Sequence, residues 1–168
     1  MERELRDLYD INSQLTGRTY YKGDPVPEGC HPMVVGILIE NSKGEFLLQR
    51  RSENKGGYWA ITGGHPKAGE TPEQGMATEV MEEIGIDISG DELLLFDSGC
   101  DGHDCFRFYY LKKDVDISKC VLQEDEVADV AWFDKNVIKQ QIEDGTFDSN
   151  QGAFFKRYYK YLEKQVKA

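Results

Sequence analysis

The sequence predicts an α+β fold, with helices packed around a mixed β-sheet. Three observations lead there. The 168 residues suit one domain with a real core. Strand-length apolar runs bounded by turn residues recur along the chain, whereas helical periodicity is confined to three segments. The two kinds of segment are mixed without a strict βα alternation.

The elements follow in order. "LYDINSQLTGRTYYKGDPVPEGC" has short apolar runs broken by turn residues and predicts an N-terminal strand or hairpin with a loop. "HPMVVGILIE" is a buried strand, "NSKGE" a turn, and "FLLQRRS" the returning strand. "NKGGYWAITGGHPKAGE" is a glycine-rich loop with one short strand around Trp59 to Ile61. In the helix that follows, Thr71 is the N-cap, Pro72 fits the first helical position and Gln74 completes a Thr-x-x-Gln capping box. Gly85 suits the left-handed residue that ends a helix. Between them Met76, Val80 and Ile84 define a buried stripe. "ELLLFDSG", "FRFYYLKK" and "EVADVAWFD" are strands. "KNVIKQQIEDG" is a short helix closed by Gly145, and "QGAFFKRYYKYLEKQVK" a terminal helix whose aromatic stripe is expected in the core.

The net charge of −11 argues against a nucleic-acid or anionic-membrane surface and suits a cation site. No apolar run approaches the ~18 residues of a membrane span, and the charged start "MERELRDLYD" lacks the apolar segment of a signal peptide. The expected location is the cytoplasm. Cys100-Asp-Gly-His-Asp-Cys105 has the look of a metal clip around His103 but lacks a second ligand pair, so it is expected to be a polar loop between two strands with its thiols reduced.

Function is concentrated in "GETPEQGMATEVMEEIGID". Glu79, Glu82 and Glu83 share an arc of roughly 100° on the helix, with no Lys or Arg among them. An acidic helix face is ordinarily just solvated. Here the three carboxylates repel one another and lie toward the helix C-terminus, where the dipole disfavours negative charge. A compensating cation follows, and oxygen ligands at this density suit Mg²⁺ or Mn²⁺. The preceding "TGGHPKAGE" lets backbone approach a metal or phosphate closely. Physics alone thus points to a divalent-metal site acting on a phosphate ester or diphosphate.

The spacing Gly64, Glu70, Glu79, Glu82-Glu83, Gly85-Ile86 resembles the Nudix box, G-x5-E-x7-R-E-U-x-E-E-x-G-U, with Val80 and Ile86 at the aliphatic positions. The resemblance runs from about Cys30 to Gly145, including "GEFLLQRRS" and the "EDEVADVAWFD" that carries Trp132. It implies a Nudix α/β/α sandwich with a loop-helix metal element: one Nudix domain over residues 1–168, with 1–29 an N-terminal extension, 30–145 the core and 146–168 the C-terminal helix. It implies that Glu79, Glu82 and Glu83 bind Mg²⁺ or Mn²⁺, that Glu79 acts as base, that the Gly64 carbonyl faces the metal, and that Glu70 supports the site. Glu126 or Glu124 is the candidate for a further carboxylate from a later loop. The implied activity is hydrolysis of a small-molecule diphosphate, a nucleoside diphosphate derivative or another organic diphosphate. No nucleic acid or membrane partner is implied, and a homodimer is compatible with the chain.

Two departures refine this. The box arginine is Thr78, whose hydroxyl is expected to bond back to the carbonyl of Gln74. Either Lys67, Arg50 or Arg51 substitutes for that cation, or the site is looser and slower; the looser site is the expectation, and with it a faster Thr78→Arg variant. A catalytically weak or inactive sensor domain is the alternative that Thr78 motivates. Second, the N-terminal segment and "GGHP" resemble the branch related to isopentenyl-diphosphate isomerase, with His65 and His31 placed as in that branch. Its cysteine before "GHP" is Gly63 here, so proton-transfer chemistry lacks its acid and hydrolysis is preferred to isomerisation. Arg50, Tyr58, Trp59, Phe106 and Phe108 are candidate contacts for a base or an apolar tail.

Overall fold

The computed structural model describes residues 2–167, so the two chain ends of the expected 1–168 domain lie outside the described residues. The strands are β1 (Leu5–Tyr9), β2 (Leu15–Tyr21), β3 (Met33–Glu40), β4 (Glu45–Arg51), β5 (Trp59–Ala60), β6 (Thr62–Gly64), β7 (Leu94–Cys100), β8 (Cys105–Lys112) and β9 (Val127–Asp134). The helices are α1 (Pro72–Ile84), α2 (Lys135–Asp144) and α3 (Ser149–Lys167).

Alternation along β3 divides the core in two. Val35, Ile37 and Ile39 point to one face, where Met76, Val80 and Ile84 of α1 close over them; all six are buried. Leu38 points to the other face, where it joins Phe46, Leu48, Ile138 of α2 and Phe154, Phe155 and Tyr158 of α3. Helices therefore cover both sides of a mixed seven-stranded sheet, in which β3 pairs parallel with β8 and antiparallel with β6 and β4, and β4 pairs antiparallel with β9. The aromatic stripe of α3 is core, as its spacing predicted. The glycine-rich loop holds two short strands rather than one, because Thr62–Gly64 pairs with Val35–Ile37.

β1 and β2 form a separate hairpin, tied to the core where Tyr9 and His31 exchange two backbone hydrogen bonds of 2.8 Å. It also docks on the loop before α1: Ala68 N–H donates to the Leu5 carbonyl, and Gly69 N–H to the Asp7 carboxylate. Cys100 and Cys105 are not separate thiols. They face each other in the β7–β8 register and are joined as a disulfide, which also removes them as metal ligands. Sequence spacing alone did not reveal that the two strand ends are direct partners.

Candidate active site

Helix α1 begins as its sequence dictates. Thr71 Oγ1 accepts from Gln74 N–H, and the Gln74 side chain accepts from Thr71 N–H. It ends at Gly85 with φ of 72°, where a Cβ would also lie 2.8 Å from the Val121 nitrogen. That close approach lets Val121 N–H bond to Ile84 O and Gln123 N–H to Glu83 O, satisfying helix carbonyls and carrying the segment with Glu126 to the helix end.

A pocket of about 530 Å³ lies at this corner. Its wall includes Gly64, His65, Glu79, Glu82, Glu83 and Glu126, five of them anticipated as ligands or bases and His65 as a supporting residue. Glu124 is exposed and is not part of the wall. The three glutamates on this arc differ in exposure: Glu83 is only 9% exposed, Glu79 is half-buried and Glu82 is exposed.

Each carboxylate has its own holder. Thr62 Oγ1 donates to Gln49 Oε1 at 3.1 Å, and Gln49 Nε2 donates to Glu83 Oε2 at 2.7 Å. All three residues are buried, so this relay fixes the orientation of Glu83. Glu79 stands against Gly64: a Cβ on Gly64 would sit 2.3 Å from its carboxyl carbon. Glu82 is paired with Lys67. Glu126 meets Lys55 at 3.2 Å.

The position of the box arginine is resolved differently from expectation. Thr78 Oγ1 does not bond back along the helix but donates to Glu70 Oε1 at 2.7 Å, while Lys67 N–H donates to Glu70 Oε2 at 2.8 Å. Glu70 thereby ties the loop to α1. The site is not short of a cation, since Lys67 pairs with Glu82 and Arg51 lies near enough to Glu83 to favour its charged form. Arg50 is turned away onto Glu53. These contacts weaken the case for a loose site and for an inactive domain.

Burial, followed by the charges of Glu83 and Glu82, pushes the Glu79 carboxyl up to about 8. Burial likewise raises Glu83 to about 7, against the lowering effect of the Gln49 hydrogen bond. Burial, with Arg6 adding to it, holds His65 down to about 4, so the ring is neutral. Glu79 and Glu83 thus stand where burial disfavours their negative charge, whereas the exposed Glu82 is matched by Lys67. Among the described residues no three His, Cys, Asp or Glu side chains already form a closed ligand set, because Glu82 leans on Lys67 and Glu83 on Gln49. The hard oxygen donors, and a Gly64 cradle that a side chain would fill, fit a Mg²⁺ or Mn²⁺ ion.

Arg51, one of the substitute cations that the sequence offered, lines the pocket, and its buried Nε has no hydrogen-bond partner among the described residues. Sequence reasoning missed two further groups. Gln49 carried no motif signal, because its role depends on a strand pairing. Glu4, Arg6 and Lys22 enter the pocket from the hairpin, which only the docking of β1 on the loop explains. Of the expected substrate contacts, Phe108 reaches the pocket; Trp59 packs on Phe133, and Phe106 stacks on Phe108 beneath Arg157. Tyr58 lies under Arg51. His31 is buried, its Nδ1 3.1 Å from the His103 carbonyl, and stands outside the pocket. A Cβ at Gly63 would lie 2.8 Å from the Val35 carbonyl oxygen, so the backbone leaves no room for the isomerase thiol.

A model of the NUDIX domain matches residues 31–157, continuing past Gly145 into α3. An uncharacterized Nudix hydrolase of Listeria monocytogenes is 34% identical over 150 residues, covering 84% of this chain and 86% of its own. The 8-oxo-dGTP diphosphatase of Proteus vulgaris is 36% identical over 63 residues, covering 37% of this chain and 56% of its own. The crystal structure of DR0079 from Deinococcus radiodurans superposes with a TM-score of 0.67 at 21% identity, over 84% of this chain and 90% of that one, a likeness of fold. The chain belongs to the Nudix family. It is accordingly a pyrophosphohydrolase of the Nudix type, a class that acts on small-molecule diphosphates.

Proposed function

We propose that this protein hydrolyses the diphosphate linkage of a nucleoside diphosphate derivative or another organic diphosphate, as a single cytoplasmic domain that uses Mg²⁺ or Mn²⁺. The observation that carries this is the meeting in one pocket of three carboxylates, Glu79, Glu82 and Glu83, the first and last of them in settings where burial disfavours their charge, with Arg51 beside them. No helix among the described residues is long and apolar enough to cross a membrane, and the net charge opposes a polyanionic partner.

The ion, held by Glu79, Glu82 and Glu83 with the Gly64 carbonyl, would neutralise diphosphate charge and acidify the attacking water. Arg51 and Lys55, both in the pocket wall, supply positive charge for the phosphate oxygens on that side. Water attacks phosphorus, the phosphorus–oxygen bond to the leaving phosphate breaks, and the water proton passes to Glu79, which stands in the pocket wall against Gly64. Gln49 holds Glu83 in place throughout.

The test is a screen of nucleotide and isoprenoid diphosphates with Mg²⁺ or Mn²⁺, reading phosphate release and, separately, metal affinity. Glu82→Gln and Glu83→Gln are expected to weaken metal binding roughly tenfold or more, in the range for lost metal-site groups. Unchanged affinity in both variants would sink the assignment, as would wild-type protein that releases no phosphate across the screen. No allylic isomer of isopentenyl diphosphate is expected, because Gly63 provides no acid.

A further inference from the structure

Away from the catalytic pocket, a groove of about 780 Å³ lies between α1 and the segment that leads into β7. Ala77, Met81 and Leu93 give it apolar surface, and Met81 is 45% exposed. The same groove carries Glu73, Asp87, Asp91 and Glu92, with Glu82 shared with the catalytic pocket, and no Lys, Arg or His lines it among the described residues. Asp91 is matched by Lys113 at 2.8 Å and Glu82 by Lys67. Glu73, Asp87 and Glu92 form no ion pair among the described residues.

The outer face of α3 has the opposite charge. At 100° per residue, Lys156, Lys160, Lys164 and Lys167 fall within an arc of roughly 80°, opposite the buried Phe154, Phe155 and Tyr158. All four lysines are exposed, and none is in an ion pair among the described residues. Glu163 is the only acid of α3. Like charges one turn apart destabilise a helix, so the stripe calls for an acidic counterpart.

Groove and stripe flank the same edge of the sheet. β7 is its last strand, and Leu94 and Leu95 are 44% and 42% exposed. The groove reaches Leu93, immediately before β7, while α3 packs on β7 through Tyr158 against Phe96, with centroids 5.3 Å apart, and through the 2.7 Å ion pair of Arg157 with Asp97. We propose that this edge is a self-association surface, in which the lysine stripe of α3 from one copy docks in the acidic groove of a second copy. Lysine suits both parts of the groove: its stem covers Met81 and Leu93 while its ammonium group meets the carboxylates. A second copy is the occupant because each chain carries both halves on one edge. About a two-fold axis the contact is made twice, with the β7 leucines between. An anionic polymer would match the stripe but be repelled by the groove. The association is independent of the diphosphate chemistry.

The test is sedimentation velocity of the full chain, where wild type is expected to form a dimer at micromolar concentration. Lys160→Glu/Lys164→Glu reverses the stripe, and Met81→Lys/Glu92→Lys reverses the groove at exposed positions. Each is expected to raise the dimer Kd by about tenfold or more, because like charges then face each other. An equimolar mixture of the two variants is expected to recover the wild-type dimer, since reversed stripe meets reversed groove and the unaltered halves meet each other. Circular dichroism checks folding; should the groove variant fail to fold, Glu92→Lys alone takes its place with the same criteria. A wild type that stays monomeric would overturn the assignment, leaving the groove to a basic partner other than this chain. Unchanged affinity in either variant, or weakening in both with no recovery on mixing, would overturn it as well.

Discussion

Gln49 shows how much of the site depends on a single uncharged side chain. It touches neither the expected ion nor the reacting phosphorus; it is a positioning residue, buried between Thr62 and Glu83. Replacing it with Met preserves volume but leaves Glu83 without its donor in a buried setting, where an unmatched polar group is costly. Gln49→Met is expected to lower metal affinity roughly ten- to a hundredfold, as loss of an outer-layer partner does. A merely structural role would show as a falling Tm with unchanged metal affinity, so both are measured. Gln49→Glu separates the cases further, because a second carboxylate facing Glu83 would raise the metal dependence of stability. The residue was not legible in the sequence. Its partners are Thr62, on another strand, and Glu83, on a helix, so only three-dimensional pairing assembles the relay. Glu79, Glu82 and Glu83 were legible, because their common helix face is a local property of spacing.

At the scale of elements, the loop–helix unit was read almost completely from its own residues: the Thr71 cap, Pro72, the buried stripe and the Gly85 stop all occur where local rules place them. The error concerned Thr78. Its hydroxyl had a helical carbonyl in reach, as local rules propose, but Glu70 competes for it from the loop and wins with a charge-assisted bond. The N-terminal hairpin was foreseen as an element but not its docking, which uses backbone groups that carry no side-chain signal. The unit also makes Gly64 indispensable for a steric reason. A methyl group there would overlap the Glu79 carboxyl, which must then swing away from the other glutamates. Gly64→Ala is expected to fold, because φ at Gly64 lies outside the left-handed range, and to lose turnover on the order of 10²-fold through displacement of that carboxylate. Steady-state kinetics with saturating Mg²⁺ and a thermal melt check it; normal turnover would show that Glu79 does not work from this position.

For the whole molecule, the sheet with helices on both faces was expected from the mixture of periodicities, while strand order and the disulfide came only with the structure. The consequence that reaches the entire chain is electrostatic. Glu79 and Glu83 have folded-state values of about 8 and about 7, both above the ordinary carboxylate value of 4.5 that they regain on unfolding. Between those limits the folded protein binds more protons than the unfolded chain, so stability falls as pH rises through that window. The depressed carboxylates of Asp87, Asp101, Asp114 and Asp116 act in the opposite sense, their contribution being lost as pH falls through their folded values, which lie below the usual 3.8; His65, held down to about 4 against 6.5 when free, also opposes the decline between those two values, and makes it shallower there without reversing it, because two carboxyls titrate against one ring. In EDTA, therefore, Tm is expected to rise as acid conditions are relieved to about pH 4.5, then to decline up to about pH 8 and level off. If the proposed site takes Mg²⁺ on its deprotonated carboxylates, the ion should lift Tm most at the alkaline end, flattening the decline by mass action. Glu79→Gln removes the larger titration and should flatten the EDTA profile without metal. Thermal melts across that range, with EDTA and with Mg²⁺, decide it: a decline that persists unchanged in Glu79→Gln would place the destabilising charge elsewhere in the molecule.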